Sequence, residues 1–270
     1  MYKRFTLIIA VFLIVVLGMT LTGCGKSSGP AGKNLKLGCL AISERMVQWI
    51  KEGLTPLGYN VEIVMFDANQ LPAVALKDGN VDGIIANHRQ WMQTFNKENN
   101  CNLEMVQPYL FRSFYAIYSL KYKKVADIPQ NAQIVIPGDP TNLSRSLIIL
   151  REAGLITLKD KTGHFYTVLD IKDNPKKIKL IEAEITHTAR SIQDADAVIA
   201  TAYHISAKTK IDPRDVVFED PQNKDYPLGL IVRSEDVNSA WVKEAVKIYR
   251  SEQYRAKFNE VYKGQYFLFD

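Results

Sequence analysis

Histidine and cysteine are scarce in this chain, four and three among 270 residues. No CxxC pair and no Cys/His run with zinc spacing occurs, which removes a zinc module. Also missing are a GxSxG elbow, an HExxH helix and the glycine pattern of a phosphate loop. Hydrolase, metalloprotease and nucleotide-binding readings therefore have no motif behind them. No basic stripe carries interleaved aromatics. The formal net charge of +5 comes from charges mixed along the chain, so nucleic acid is not an expected partner. Beyond the N-terminus no apolar run is long enough to cross a bilayer. There is no repeat with a period of 20–50 residues.

What is present begins at the N-terminus. Lys3-Arg4 is a short positive head, Phe5–Leu17 is almost unbroken apolar sequence, and Leu21-Thr22-Gly23-Cys24 comes next. This is the layout of a secretory signal, short against the roughly 20 residues of a membrane span. The small residues before Cys24 resemble the lipobox of bacterial lipoproteins. That resemblance implies cleavage before Cys24, a diacylglyceryl group on its sulfur and a new amine open to acylation, which together supply the two anchors stable attachment needs. Residues 1–23 are thus expected to be the signal, and 24–33, rich in Gly, Ser, Pro and Lys, a lipidated flexible tether. An uncleaved anchor helix is the alternative. Either way the bulk of the chain is expected outside the cytoplasm, where a disulfide is permitted. Cys39 and Cys101 nevertheless fall at opposite ends of predicted parallel strands, too far apart for a bridge, and are expected to be free.

From Asn34 onward the chain alternates strand and helix. Predicted strands are Leu35–Leu40, Val61–Phe66, Val81–Ala86 and Leu103–Tyr109, then Gln133–Ile136, Lys177–Ile181, Ala197–Ala200 and Val216–Phe218. Ser43 is placed to cap a helix with Met46, Val47, Ile50, Leu54 and Leu57 on its apolar face, ended by Gly58. Other helices are predicted over Leu71–Leu76, Asn87–Glu98, Ala189–Asp194, from Thr201, and in one long run over Trp241–Tyr262. Phe114–Leu120 and Leu228–Val232 read as crossings between two halves. The expected fold is α/β, two lobes of mostly parallel sheet joined by two crossings, with a ligand cleft between them. Residues 34–115 with 230–270 would make one lobe and 116–229 the other.

The most informative stretch is IVIPGDPTNLSRSLIILREAGL, Ile134–Leu155. An apolar strand meets a sharp turn and then a helix closed by Gly154. The first helical turn offers unpaired backbone N–H groups. Arg145 lies near that turn, where the helix dipole disfavours a cation. Two readings stay open on pattern alone: Arg145 pairs with Asp139 or another acid, or turn and guanidinium hold a ligand carboxylate. His88 follows a strand end and can face the cleft, as a hydrogen-bonding or packing residue. Asp194 and Asp196 have no partner for acid–base work. One well-placed histidine does not make a metal site.

The chain resembles the NlpA-type lipoproteins, the methionine-binding proteins of ABC importers. The likeness rests on PGDPTNLSRSLIILREAGLITLKD (Pro137–Asp160), VLDIKDNPKKIKLIEAE (Val168–Glu184) and FEDPQNKDYPLGLIVRSED (Phe218–Asp236), with the lipobox Cys24. It implies the two-lobed periplasmic-binding-protein-like fold (type II) and a monomeric, non-enzymatic, cofactor-free solute-binding protein on the outer face of the bacterial cytoplasmic membrane. Such a protein binds methionine or a related small carboxylate-bearing solute and hands it to a permease driven by a cytoplasmic ATPase. It implies a carboxylate role for Arg145, helped by Thr141 and Asn142 at the helix start, and polar contacts from His88 and Asn87. Trp91 and Asn69 would line the side-chain end. The chain departs from the family pattern at Ala86, Asn69, Ala200 and Gly229, so a more polar solute, or Phe111 or Tyr115 refilling the volume, are the alternatives. A sensor or adhesin without transport is a further one.

Overall fold

The computed structural model describes residues 33–160 and 165–270. The expected signal, Cys24 and the tether up to residue 32 lie outside the described residues. The chain divides at Lys33, and the lobes belong to the body Asn34–Asp270.

Strand β1 (Lys33–Leu40) leads into α1 (Glu44–Leu54), β2 (Tyr59–Phe66), α2 (Leu71–Lys77), β3 (Gly83–Ile85), α3 (Arg89–Asn99) and β4 (Leu103–Met105). Then come β5 (Phe111–Ser113), β6 (Tyr115–Tyr118), β7 (Gln133–Pro137), α4 (Pro140–Glu152), β8 (Thr157–Leu158), β9 (Ile171–Asp173) and β10 (Lys179–Ala183). The chain continues through α5 (Ile185–Thr188), β11 (Ala197–Thr201), α6 (Ala202–Lys208), β12 (Phe218–Glu219), β13 (Pro227–Leu228) and β14 (Ile231–Arg233). It finishes with α7 (Ala240–Arg250), α8 (Glu252–Val261) and β15 (Tyr266–Leu268).

Two five-stranded sheets, β2-β1-β3-β14-β4 and β10-β7-β11-β6-β12, make the two lobes. Each has its own apolar cores: Ile50, Leu54 and Val242 in the first, Ile134, Leu147 and Ile199 in the second. The sheets are less parallel than the strand–helix rhythm suggests. β1 and β3 are parallel, as are β7 with β10 and β11. β14 runs antiparallel to β3 and β4, and β6 antiparallel to β11 and β12. The reversed strands are the ones the chain enters on crossing between lobes, so no helix precedes them to turn the chain back.

The crossings are also shorter than expected. Tyr115–Tyr118, predicted within a crossing, is an interior strand of the second sheet. The passage is made by β5 and β13, which pair antiparallel, with β15 on the other edge of β5. The two halves are therefore connected through a small three-stranded sheet, here the hinge sheet, that includes β15.

Local differences have local causes. Leu57, expected on the apolar face of α1, is 50% exposed, because it sits in a 3-10 turn past the helix end. That turn stops at Gly58, whose φ of 85° suits glycine. Ser43 does not cap α1 with its side chain; its hydroxyl bonds the carbonyls of Ile85 and Leu40. Lys177 adopts a left-handed φ of 52°, so the strand expected from it begins at Lys179. Ala189–Gln193 is 3-10 rather than α. The long C-terminal helix breaks at Ser251, whose extended backbone and hydroxyl cap α8 through Tyr254 N–H. Cys39 and Cys101 are free.

Candidate functional site

A cavity of about 650 Å³ lies between the lobes. The first lobe lines it with the ends of β1 and β3 and the start of α3. The second contributes α4, the end of β11 and α6, and the hinge sheet adds Ser113, Leu228 and Tyr266. Arg145, His88, Asn87, Trp91, Asn69 and Asn142, expected from the sequence to meet a ligand, all line it.

Arg145 is 2% exposed and Asp220 1%. Its Nε donates to Asp220 Oδ2 at 2.7 Å, and Nη2 reaches the same oxygen at 2.6 Å and Asn223 Oδ1 at 2.9 Å. The guanidinium is sandwiched by Tyr226 at 3.8 Å and Tyr115 at 4.3 Å from its carbon. Cation–π contact and a charge-assisted pair both favour a guanidinium removed from water. Of the two readings open from the sequence, pairing with an acid is therefore realised, with Asp220 rather than Asp139. Nη1 has no hydrogen-bond partner among the described residues. Arg145 thus keeps one edge unpaired on the cavity wall.

The start of α4 is not open. Asp139 Oδ1 accepts from Asn142 N–H at 3.2 Å and from the Thr141 hydroxyl at 2.9 Å. Both Asp139 oxygens also accept from Asn142 Nδ2. Of the N–H groups expected to help hold a carboxylate, that of Asn142 goes to the Asp139 side chain and that of Leu143 to the Asp139 carbonyl. Thr141 is buried against Asp139 and does not line the cavity, which corrects its expected role. Asn142 serves His88 instead. His88 Nδ1 accepts from Trp91 N–H at 3.1 Å, so the ring proton sits on Nε2 and is given to Asn142 Oδ1 at 3.2 Å. That bond joins the two lobes. Burial, and then the charge of Arg145, lower the His88 pKa to about 4. The ring is neutral at physiological pH.

Asn87 is tied to Asn69 by two bonds, from Nδ2 to the main-chain oxygen at 3.1 Å and to Oδ1 at 3.0 Å. Trp91 stacks on Phe95 with ring centres 5.4 Å apart. Of the residues weighed as refilling the pocket, Tyr115 lines it, whereas Phe111 is in the core against Phe258 and Tyr266. Ala200 and Gly229 are likewise one position off. Their neighbours Thr201 and Leu228 face the cavity. A Cβ on Gly229 would come within 3.3 Å of Leu110 N, so that glycine serves a close chain approach.

Sequence reasoning missed Asp220, Asn223 and Tyr226, which hold Arg145, and Tyr203, His204 and Tyr266 on the cavity wall. The cluster FEDPQNKDY, Phe218–Tyr226, carried the first three as acid, amide and aromatic in one loop, a signal without a stated partner.

The sequence model of the family described as NlpA lipoprotein matches residues 35–268. The chain is 31% identical over 252 residues to the D-methionine-binding lipoprotein MetQ of Escherichia coli K12, covering 91% of this chain and 92% of that one. It is 33% identical over 258 residues to Lipoprotein 28 of the same organism, covering 93% of each. Among solved structures, a nutrient binding protein from Burkholderia cenocepacia bound to methionine superposes with a TM-score of 0.81 at 28% identity, over 87% of this chain and 99% of the other.

Proposed function

This chain belongs to the NlpA lipoprotein family, and from that premise we propose that it is the lipid-anchored solute-binding component of an ABC importer. It binds methionine or a related small carboxylate-bearing solute between its lobes and delivers it to a membrane permease. The observation that carries this reading is the interlobe cavity walled by a buried guanidinium with one edge unpaired. Arg145 Nη1 takes the ligand carboxylate. Asn87, whose Oδ1 is without a hydrogen-bond partner among the described residues, and Asn69 bring polar groups from the first lobe, and Trp91 an apolar face. His88, with both ring nitrogens committed to Trp91 N–H and Asn142, presents its ring to the ligand, and Asn142 holds that ring in place. Cys24 carries the lipid that keeps the protein at the outer face of the cytoplasmic membrane. Methionine bound to the Burkholderia structure and the MetQ relatives support the ligand class. Closure of the lobes on the ligand is the state the permease reads.

Native mass spectrometry of the purified protein tests the proposal. A retained small carboxylate solute, or one acquired from an offered panel that includes methionine, is expected. A protein that carries none and takes up none overturns the reading.

A further inference from the structure

His204 lines the cavity but plays no part in carboxylate capture. It is 8% exposed. The Thr201 hydroxyl accepts from His204 N–H at 3.3 Å and lies 3.1 Å from His204 Nδ1. A hydroxyl that already accepts the backbone N–H has its own proton to give, and Nδ1 is placed to receive it. The proton of the neutral ring is then on Nε2, which has no hydrogen-bond partner among the described residues. Burial keeps the ring uncharged, with a pKa of about 4, so it is a single fixed donor.

His204 lies on α6 and Arg145 on α4, separate elements of the cavity wall. The surroundings of His204 are polar and under-used. Tyr203 meets the His204 ring edge-on at 5.8 Å and stacks on Tyr266 at 5.7 Å. The Tyr266 hydroxyl is buried without a hydrogen-bond partner, on a residue that lines the same cavity. Buried polar atoms are ordinarily paired, so the unpaired Tyr266 hydroxyl, together with a donor on the cavity wall that has no partner among the described residues, points to a group supplied from outside. Among the described residues lining the cavity, Asp67 is the one carboxylate, and it is exposed.

We propose that His204, with Tyr266, forms a second polar subsite that receives a hydrogen-bond-accepting oxygen at the far end of the ligand. The substrate class is then a small carboxylate solute whose distal group is a sulfoxide, amide or carboxylate, in preference to a plain thioether. This rests on the binding function already proposed and narrows it.

Methionine and methionine sulfoxide differ by one acceptor oxygen, so calorimetry on the purified protein with this pair tests the idea. The sulfoxide is expected to bind about ten-fold or more tightly, since a site built around a donor penalises a ligand that leaves it unpaired. H204F should erase the preference, and H204Q, which keeps an N–H, should retain part of it. Equal affinities, a preference for methionine, or a preference that survives H204F each overturn the subsite while leaving carboxylate binding standing. Should neither probe bind, the mass of the retained solute decides: an oxygen-bearing distal group supports the subsite, an apolar one overturns it. No solute at all overturns both readings together.

Discussion

At Arg145 the proposed ligand contact and the fold share one side chain. Removing it leaves the Asp220 carboxylate buried without its cation, which costs about 3–5 kcal/mol. R145M is therefore expected to lose ligand affinity and to unfold at markedly lower urea. Adding D220N should restore most of the stability and none of the affinity. Recovery of both would mean that Arg145 only supports the wall. The two buried histidines give a second expectation. Both have pKa values lowered to about 4, mainly by burial, so between about 4 and their ordinary value near 6.5 the unfolded chain binds more protons. Stability is then complete above that window and falls as the pH drops through it, by on the order of 3 kcal/mol per ring. Below the window these groups add no further loss. Urea midpoints for the wild type should bend down across the window, and those for H88Q/H204Q should bend less. The oddity of Arg145 beside a helix start was legible in the sequence. Its partner was not, because Asp220 lies 75 residues on and nothing local pairs them.

The elements themselves were largely legible, because amphipathic spacing and glycine stops are local signals. Met46, Val47, Ile50 and Leu54 do form the buried face of α1. What the pattern hid was contact between elements. Gly53 in α1 reads as a poor helix residue, yet its Cα faces α7, where an added Cβ would meet three Ile248 carbons at 2.7–2.9 Å. G53A should therefore destabilise the protein by about 1–2 kcal/mol in spite of the better helix propensity of alanine. Thermal unfolding distinguishes the two, since a raised midpoint would show that propensity wins. The same blindness applies to strand direction. An apolar run such as Tyr115–Tyr118 is equally good parallel or antiparallel, and its place beside β11 is decided by partners far along the chain.

For the whole molecule, the two-lobed plan followed from the strand–helix rhythm, while the manner in which the lobes meet did not. They are joined across the cavity by His88 with Asn142, by Gln90 with the Asp225 carbonyl, and by the Tyr203 hydroxyl to the Ala41 carbonyl at 3.3 Å. None of these pairs has a sequence signature, as each spans more than 50 residues. On the proposed function, attachment to the membrane depends on Cys24. Metabolic labelling with a fatty acid is expected to mark the wild type and not C24A, with ligand binding unchanged in C24A. An unlabelled wild type that sediments with membranes would point to an uncleaved anchor.

The C-terminal strand has a practical bearing. β15 lies along β5, Phe269 N–H bonds the Leu110 carbonyl, and Arg255 donates to the Phe269 carbonyl. The last residues thus act as a splint laid over the joint between the halves. A fusion partner or purification handle attached there loads that joint directly, and a dye placed there would report its flexing from outside the pocket.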